Sequence, residues 1–147
     1  MTDAPAETQE PRLAHFPIAF FAVVMGLAGL TLAIRAGEHA LGLAGLASGV
    51  ALAVTAGLFA TIAALYLLKA VRHWDQVVLE WAHPVRIAFF PALSISILLI
   101  ATAAAPVLPG VAEPLWLAGA ALQGVLTLAV VASWIGHRAF AHGHLTP

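Results

Sequence analysis

Four apolar runs, each about 19 to 28 residues long, divide this chain, and each is long enough to cross the roughly 30 Å hydrocarbon layer of a bilayer as a helix. They place spans at about 16–35, 41–68, 87–105 and 115–136. Inside lipid a backbone has no water to bond, so a crossing segment must satisfy its own N–H and C=O groups, as a helix does. The fold class is therefore all-α integral membrane, with four transmembrane helices arranged as two hairpins. Composition agrees: 62% of residues are hydrophobic and 9% charged, and the mean hydropathy is +0.98, well outside the soluble range.

The third run, with its approach HPVRIAFFPALSISILLIATAAA at 83–105, is the most distinctive. A basic collar of His83 and Arg86 leads into Phe89, Phe90 and Pro91. A proline within such a helix removes one hydrogen bond and is expected to free the carbonyl of Ile87, which lipid tolerates only where protein or a water-filled cavity replaces the partner. The run reads as an inner helix. The first run shares its features: Pro17 stands in the first turn, and Gly26 and Gly29 thin the helix for a neighbour. The tetrapeptide Ile-Ala-Phe-Phe occurs at 18–21 and again at 87–90, each time beside a proline. The repeat suggests two similar hairpins, each an aromatic, proline-bearing inner helix followed by a smooth Ala/Leu outer helix, and such repeats are common in transporters.

The connections are short. Arg35, Gly37, Glu38 and His39 are expected to form a polar turn. The second run exceeds the ~20 residues of a straight span and should tilt, with Gly45 and Gly49 as a small-residue packing face. Between Lys69 and Arg86, Trp74, Val77, Val78 and Trp81 fall at i, i+3, i+4 and i+7. They predict an amphipathic helix at about 73–82 lying on the membrane surface, with Asp75, Gln76 and Glu80 turned away from the apolar face. PVLPGVAEP forms the next turn, and Gln123 is expected to make an interhelical hydrogen bond in the last span. The four tryptophans sit at the ends of apolar runs, as an aromatic belt requires.

Arg12, Lys69, Arg72, Arg86 and Arg138 share one side and Arg35 stands alone on the other. The positive-inside rule then makes both termini cytoplasmic, in a multi-pass protein of the cell inner (plasma) membrane. Residues 1–14, acidic and proline-containing without a basic start, read as a disordered cytoplasmic tail rather than a signal peptide, and 15–147 as the transmembrane domain.

Several functions are excluded by what the chain lacks. With a net charge of -1 and no basic stripe, no nucleic-acid partner is expected. Cysteine is absent, which removes thiolate chemistry. The histidines, including His73, His83, His137, His142 and His144, lie outside the span interiors and form no ligand set, so no metal and no cofactor are expected. There is no HExxH, no GxSxG and no intramembrane carboxylate pair, so the protein is not expected to be an enzyme.

The stretches HFPIAFFAVVMGLAGL from His15 and HPVRIAFFPALSIS from His83 resemble the TehA-like family of tellurite-resistance and dicarboxylate (malic acid) transporters, slow-type anion channels and sulfite exporters. The resemblance implies a ten-helix, five-hairpin bundle around a pore, with odd-numbered helices inside and usually a trimer. This chain, with four spans, then corresponds to the first two hairpins of a truncated member. It also implies transport of small inorganic or dicarboxylate anions through the lipid bilayer. Pro17, Phe20, Phe21, Phe89, Phe90, Pro91 and Ser94 are the pore-lining candidates, and His83 and Arg86 the cytoplasmic mouth. The alternative is a self-contained four-helix accessory or assembly protein without transport activity.

Overall fold

The computed structural model describes residues 13–136. The expected tail up to Arg12, and also His137, Arg138, His142 and His144, lie outside the described residues. Within them the chain is helical: a 3-10 turn at Ile18–Phe20 leads into α1 (Phe21–Ala40), followed by α2 (Leu46–Arg72) and the short α3 (Trp74–Ala82). A second 3-10 turn at Arg86–Phe89 leads into α4 (Pro91–Ala104), and α5 (Pro109–Ile135) closes the order. Four of these segments are long and apolar enough to cross a membrane.

The first hairpin is joined along a seven-residue repeat. The buried residues of α2 are Ser48, Thr55, Ile62 and Lys69, one per two turns, which keeps them on one face. Facing them, α1 buries Phe21, Val24, Ala28, Thr31 and Glu38. Thr31 Oγ1 and Thr55 Oγ1 meet at 3.2 Å in mid-seam, while Val24 and Ile62 belong to the apolar core below them. Beyond Thr31 the seam becomes polar. Glu38 accepts from the backbone N–H groups of Ala47 (2.8 Å) and Ser48 (3.1 Å), the second and third residues of α2, whose amides have no intrahelical partner.

The polar turn expected at 35–39 is thus the last turn of α1. The helix runs on to Ala40 and ends when Gly42, at φ 67°, allows Leu43 N–H to reach back to the Glu38 carbonyl at 2.9 Å and Gly42 N–H to that of His39 at 3.3 Å. Gly45, at φ 76°, precedes α2 rather than lying in it. A Cβ placed on Gly49 would meet nothing within 4 Å, so the Gly45/Gly49 pair is not a packing face within this chain. Neither Gly26 nor Gly29 has a neighbour at that distance.

The repeated tetrapeptide has a repeated structure. Each Ile-Ala-Phe stretch forms a 3-10 turn before an inner helix, and the two turns pack together, burying Ile18 and Ile87. Pro91 does not interrupt a continuous helix. It is the first residue of α4, where a missing N–H costs nothing, and the Ile87 carbonyl accepts from Phe90 N–H at 3.2 Å. The chain has solved the proline problem by changing helix type ahead of it.

The hairpins meet through their inner members, since α1 packs on both α2 and α4, and α4 also packs on α5. Two serines mark these faces: Ser96 points to the Phe21 carbonyl of α1 at 3.2 Å, and Ser94 to Gln123 of α5 at 2.5 Å. Gln123 thereby makes the interhelical bond expected of it. Gly119 lets α5 close on Ile97 and Leu98, whose atoms lie 3.0 and 3.2 Å from where a Cβ would stand. Burial follows the inner/outer division: 28% and 44% of the first and third spans are buried, against 11% of each of the others. The expected PVLPGVAEP turn is shorter than its prolines suggest, because α5 already begins at Pro109 and contains Pro114.

Candidate functional site

The end of the bundle where the two 3-10 turns meet holds a cavity of about 300 Å³. Its lining includes Pro17 just before the first turn, Arg86 and Phe89 from the second, Lys69 from α2, and Gln76 and Glu80 from α3. α3 contributes Gln76 and Glu80 to this end, and Trp74, Val77, Val78 and Trp81 share one surface as expected, but Glu80 is buried. Val77 and Glu80, three residues apart, are its buried side chains, whereas Trp74 and Val78 are exposed. Trp81 packs edge-on against Phe90 with ring centroids 4.8 Å apart. Glu80 faces inward because Lys69 is there to receive it.

Lys69, in the last turn of α2, is 1% exposed. Its Nζ donates to the Phe16 carbonyl at 2.8 Å and pairs with Glu80 Oε1 at 3.0 Å. The other carboxylate oxygen, Oε2, accepts from Tyr66 OH at 2.9 Å, and the ammonium also lies 5.5 Å from the Tyr66 ring centre. Glu80 is held at both oxygens, one by a charge and one by a hydroxyl. Low local dielectric strengthens each of these bonds, and makes the loss of any partner costly. The network ties together α2, α3 and the segment leading into α1.

Arg86 lies at the rim and is solvent-exposed. It lines the cavity and forms no ion pair with a carboxylate among the described residues, so its guanidinium supplies positive potential there. His83 plays a different local part: its Nδ1 accepts from the N–H groups of Val85 (3.2 Å) and Arg86 (3.4 Å), fixing the turn that presents Arg86. At the opposite end Arg35 donates to the Ala103 carbonyl at the C-terminus of α4. Among the described residues Lys69, Arg72 and Arg86 therefore share one end and Arg35 occupies the other.

The remaining sequence-derived candidates are spread through the bundle. Pro17 and Phe89 line the cavity. Phe20 stacks on Phe16 with centroids 4.8 Å apart and is 42% exposed. Phe21 is buried in the core against Phe59 and Tyr66, Phe90 packs on Trp81, Pro91 starts α4, and Ser94 bonds Gln123. No group of three or more His, Cys, Asp or Glu able to hold a metal occurs among the described residues.

Sequence reasoning missed Lys69, Tyr66, Gln76 and Glu80. Signals pointed to two of them: the seven-residue spacing of Lys69 from Ile62, Thr55 and Ser48, and the i, i+3 relation of Glu80 to Val77.

The family model described as voltage-dependent anion channel matches residues 15–147, which takes in both hairpins, α3 and all of the cavity lining except Ala14. The chain belongs to the voltage-dependent anion channel family. Membership brings with it anion transport across a membrane in general terms, and the family is one of channels and transporters. No curated protein and no solved structure matches the chain.

Proposed function

We propose that this protein moves small anions across a membrane, and that they enter through the cavity between the two 3-10 turns. The observation that carries the reading is Arg86, an exposed cation on the rim of a cavity formed where both inner helices begin. A positive mouth over low-dielectric walls raises the local anion concentration without binding tightly enough to stop passage. Pro17 and Phe89 shape this entrance, His83 positions Arg86, and Phe20 lies nearby. Phe21, Phe90, Pro91 and Ser94 serve by holding the inner helices in register. The open face of α1 carrying Gly26 and Gly29 is the wall along which the anion passes.

Small inorganic anions of the sulfite or tellurite-resistance type and C4-dicarboxylates such as malate are the substrate classes that suit a weakly binding path of this kind. The basic end is assigned to the cytoplasm by the positive-inside rule, in the plasma (inner) membrane, and a homotrimer is the assembly expected of a full-length member. Purified protein reconstituted in vesicles tests the reading. Arg86→Gln should lower anion flux by about tenfold at low ionic strength, with normal insertion, and the difference should shrink as salt screens the charge. Equal flux from both proteins removes Arg86 from the entry path. Flux no greater than that of empty vesicles, from correctly inserted protein, favours a four-helix accessory role instead.

A further inference from the structure

The wall of the cavity, where Lys69 and Glu80 line it, backs onto Tyr66 in an arrangement that anion entry does not require. Lys69 Nζ and Tyr66 OH converge on the two oxygens of one carboxylate, at 3.0 and 2.9 Å, and that carboxylate belongs to Glu80 on α3. Both charged groups are buried, with side-chain exposures of 1% and 5%. Removing two charges from water is expensive, and a purely structural contact would be made as well by apolar side chains. α3 is also bounded by non-helical residues, His73 at φ -137° and His83 at ψ 125°, and besides Glu80 it buries only Val77. The carboxylate is its principal polar attachment to the bundle.

We infer that Lys69 and Tyr66 form a carboxylate-binding site opening on the cavity, which the chain fills with its own Glu80, so that α3 is a tethered plug over the entrance. The ligand class is a small carboxylate or a planar oxyanion of similar size, held through two oxygens by one ammonium and one hydroxyl. Lys69 is fixed for this task independently of Glu80, because the Phe16 carbonyl takes one of its protons at 2.8 Å. Arg86, Gln76 and His15, on the same cavity, supply the remaining polar side chains of its wall. The inference rests on the anion-transport reading for its biological meaning, but its test reads stability rather than flux, so the two stand or fall separately.

Glu80→Ala empties the site and leaves Lys69 without its counter-charge. The melting temperature of the detergent-solubilised variant should fall, and sodium formate should restore at least half of the loss, whereas wild-type protein should gain little. Adding Lys69→Met to Glu80→Ala should abolish the formate response. An absent response in Glu80→Ala, a response equal to that of wild-type protein, or one that survives Lys69→Met overturns the proposal. Should Glu80→Ala not fold without added anion, Glu80→Ser, which also vacates the space between Lys69 and Tyr66, provides the second reading. Its melting temperature should rise with formate more than that of wild-type protein, and an equal response again overturns the site.

Discussion

Lys69 shows how one side chain decides the arrangement of a whole end of the bundle. A lysine at the end of a span ordinarily extends its ammonium to the aqueous interface; here it turns inward to the Phe16 carbonyl and Glu80. Lys69→Met would leave the Glu80 carboxylate buried without its counter-charge, and a loss of about 3–5 kcal/mol is expected in reversible unfolding. Replacing Lys69 and Glu80 together with methionine should recover most of that loss, since no charge then remains to be solvated. Tyr66→Phe removes only a neutral donor and should cost about 1–3 kcal/mol. These groups were hard to read from sequence because the lysine lies where an interfacial anchor belongs. The two tryptophans of α3 also dominate its helical period and draw attention from the Val77/Glu80 face. The place of Arg86, by contrast, was legible, because its position before the second Ile-Ala-Phe-Phe puts it at the start of the third span whatever the details of the turn.

Among the elements, the four spans and the inner role of α1 and α4 were legible from length and repetition, while their ends were not. Gly45 reads as a helical packing residue by spacing, yet a left-handed backbone at φ 76° sets it outside α2. Pro91 reads as an interior helix residue that frees the Ile87 carbonyl, yet a 3-10 turn ahead of it makes it a helix start. The glycines separate by environment rather than by spacing. Gly119→Val must displace Ile97 and Leu98 from within 3.0 and 3.2 Å, and a loss of about 1–3 kcal/mol is expected from overpacking α4 against α5. Gly26→Ala and Gly29→Ala meet no neighbour and should leave unfolding midpoints unchanged or slightly raised, as helix propensity favours alanine. In the α1/α2 seam, Thr31 and Thr55 also approach the carbonyls of Leu27 and Ala51 at 2.9 and 2.8 Å. Two hydroxyl protons serve three contacts, so a double-mutant cycle with valine at both positions should yield a coupling of only about 0.6 kcal/mol. Glu38→Gln should speed hydrogen exchange at the Ala47 and Ser48 amides that it accepts from, without affecting the opposite end.

At the scale of the molecule, the two hairpins form a bundle with its described basic residues segregated by end and a cavity at the more basic one. The chain has no cysteine, so single replacements report topology without background. Labelling by an impermeant thiol reagent should reach His73→Cys from one side of the membrane and Leu43→Cys from the other, and labelling of both from the same side contradicts the hairpin arrangement. The central claim is that the chain passes anions, and the most direct measurement is the reversal potential of protein reconstituted in a planar bilayer under a potassium chloride gradient. The account predicts a current reversing close to the chloride equilibrium potential. Reversal close to the potassium equilibrium potential contradicts it.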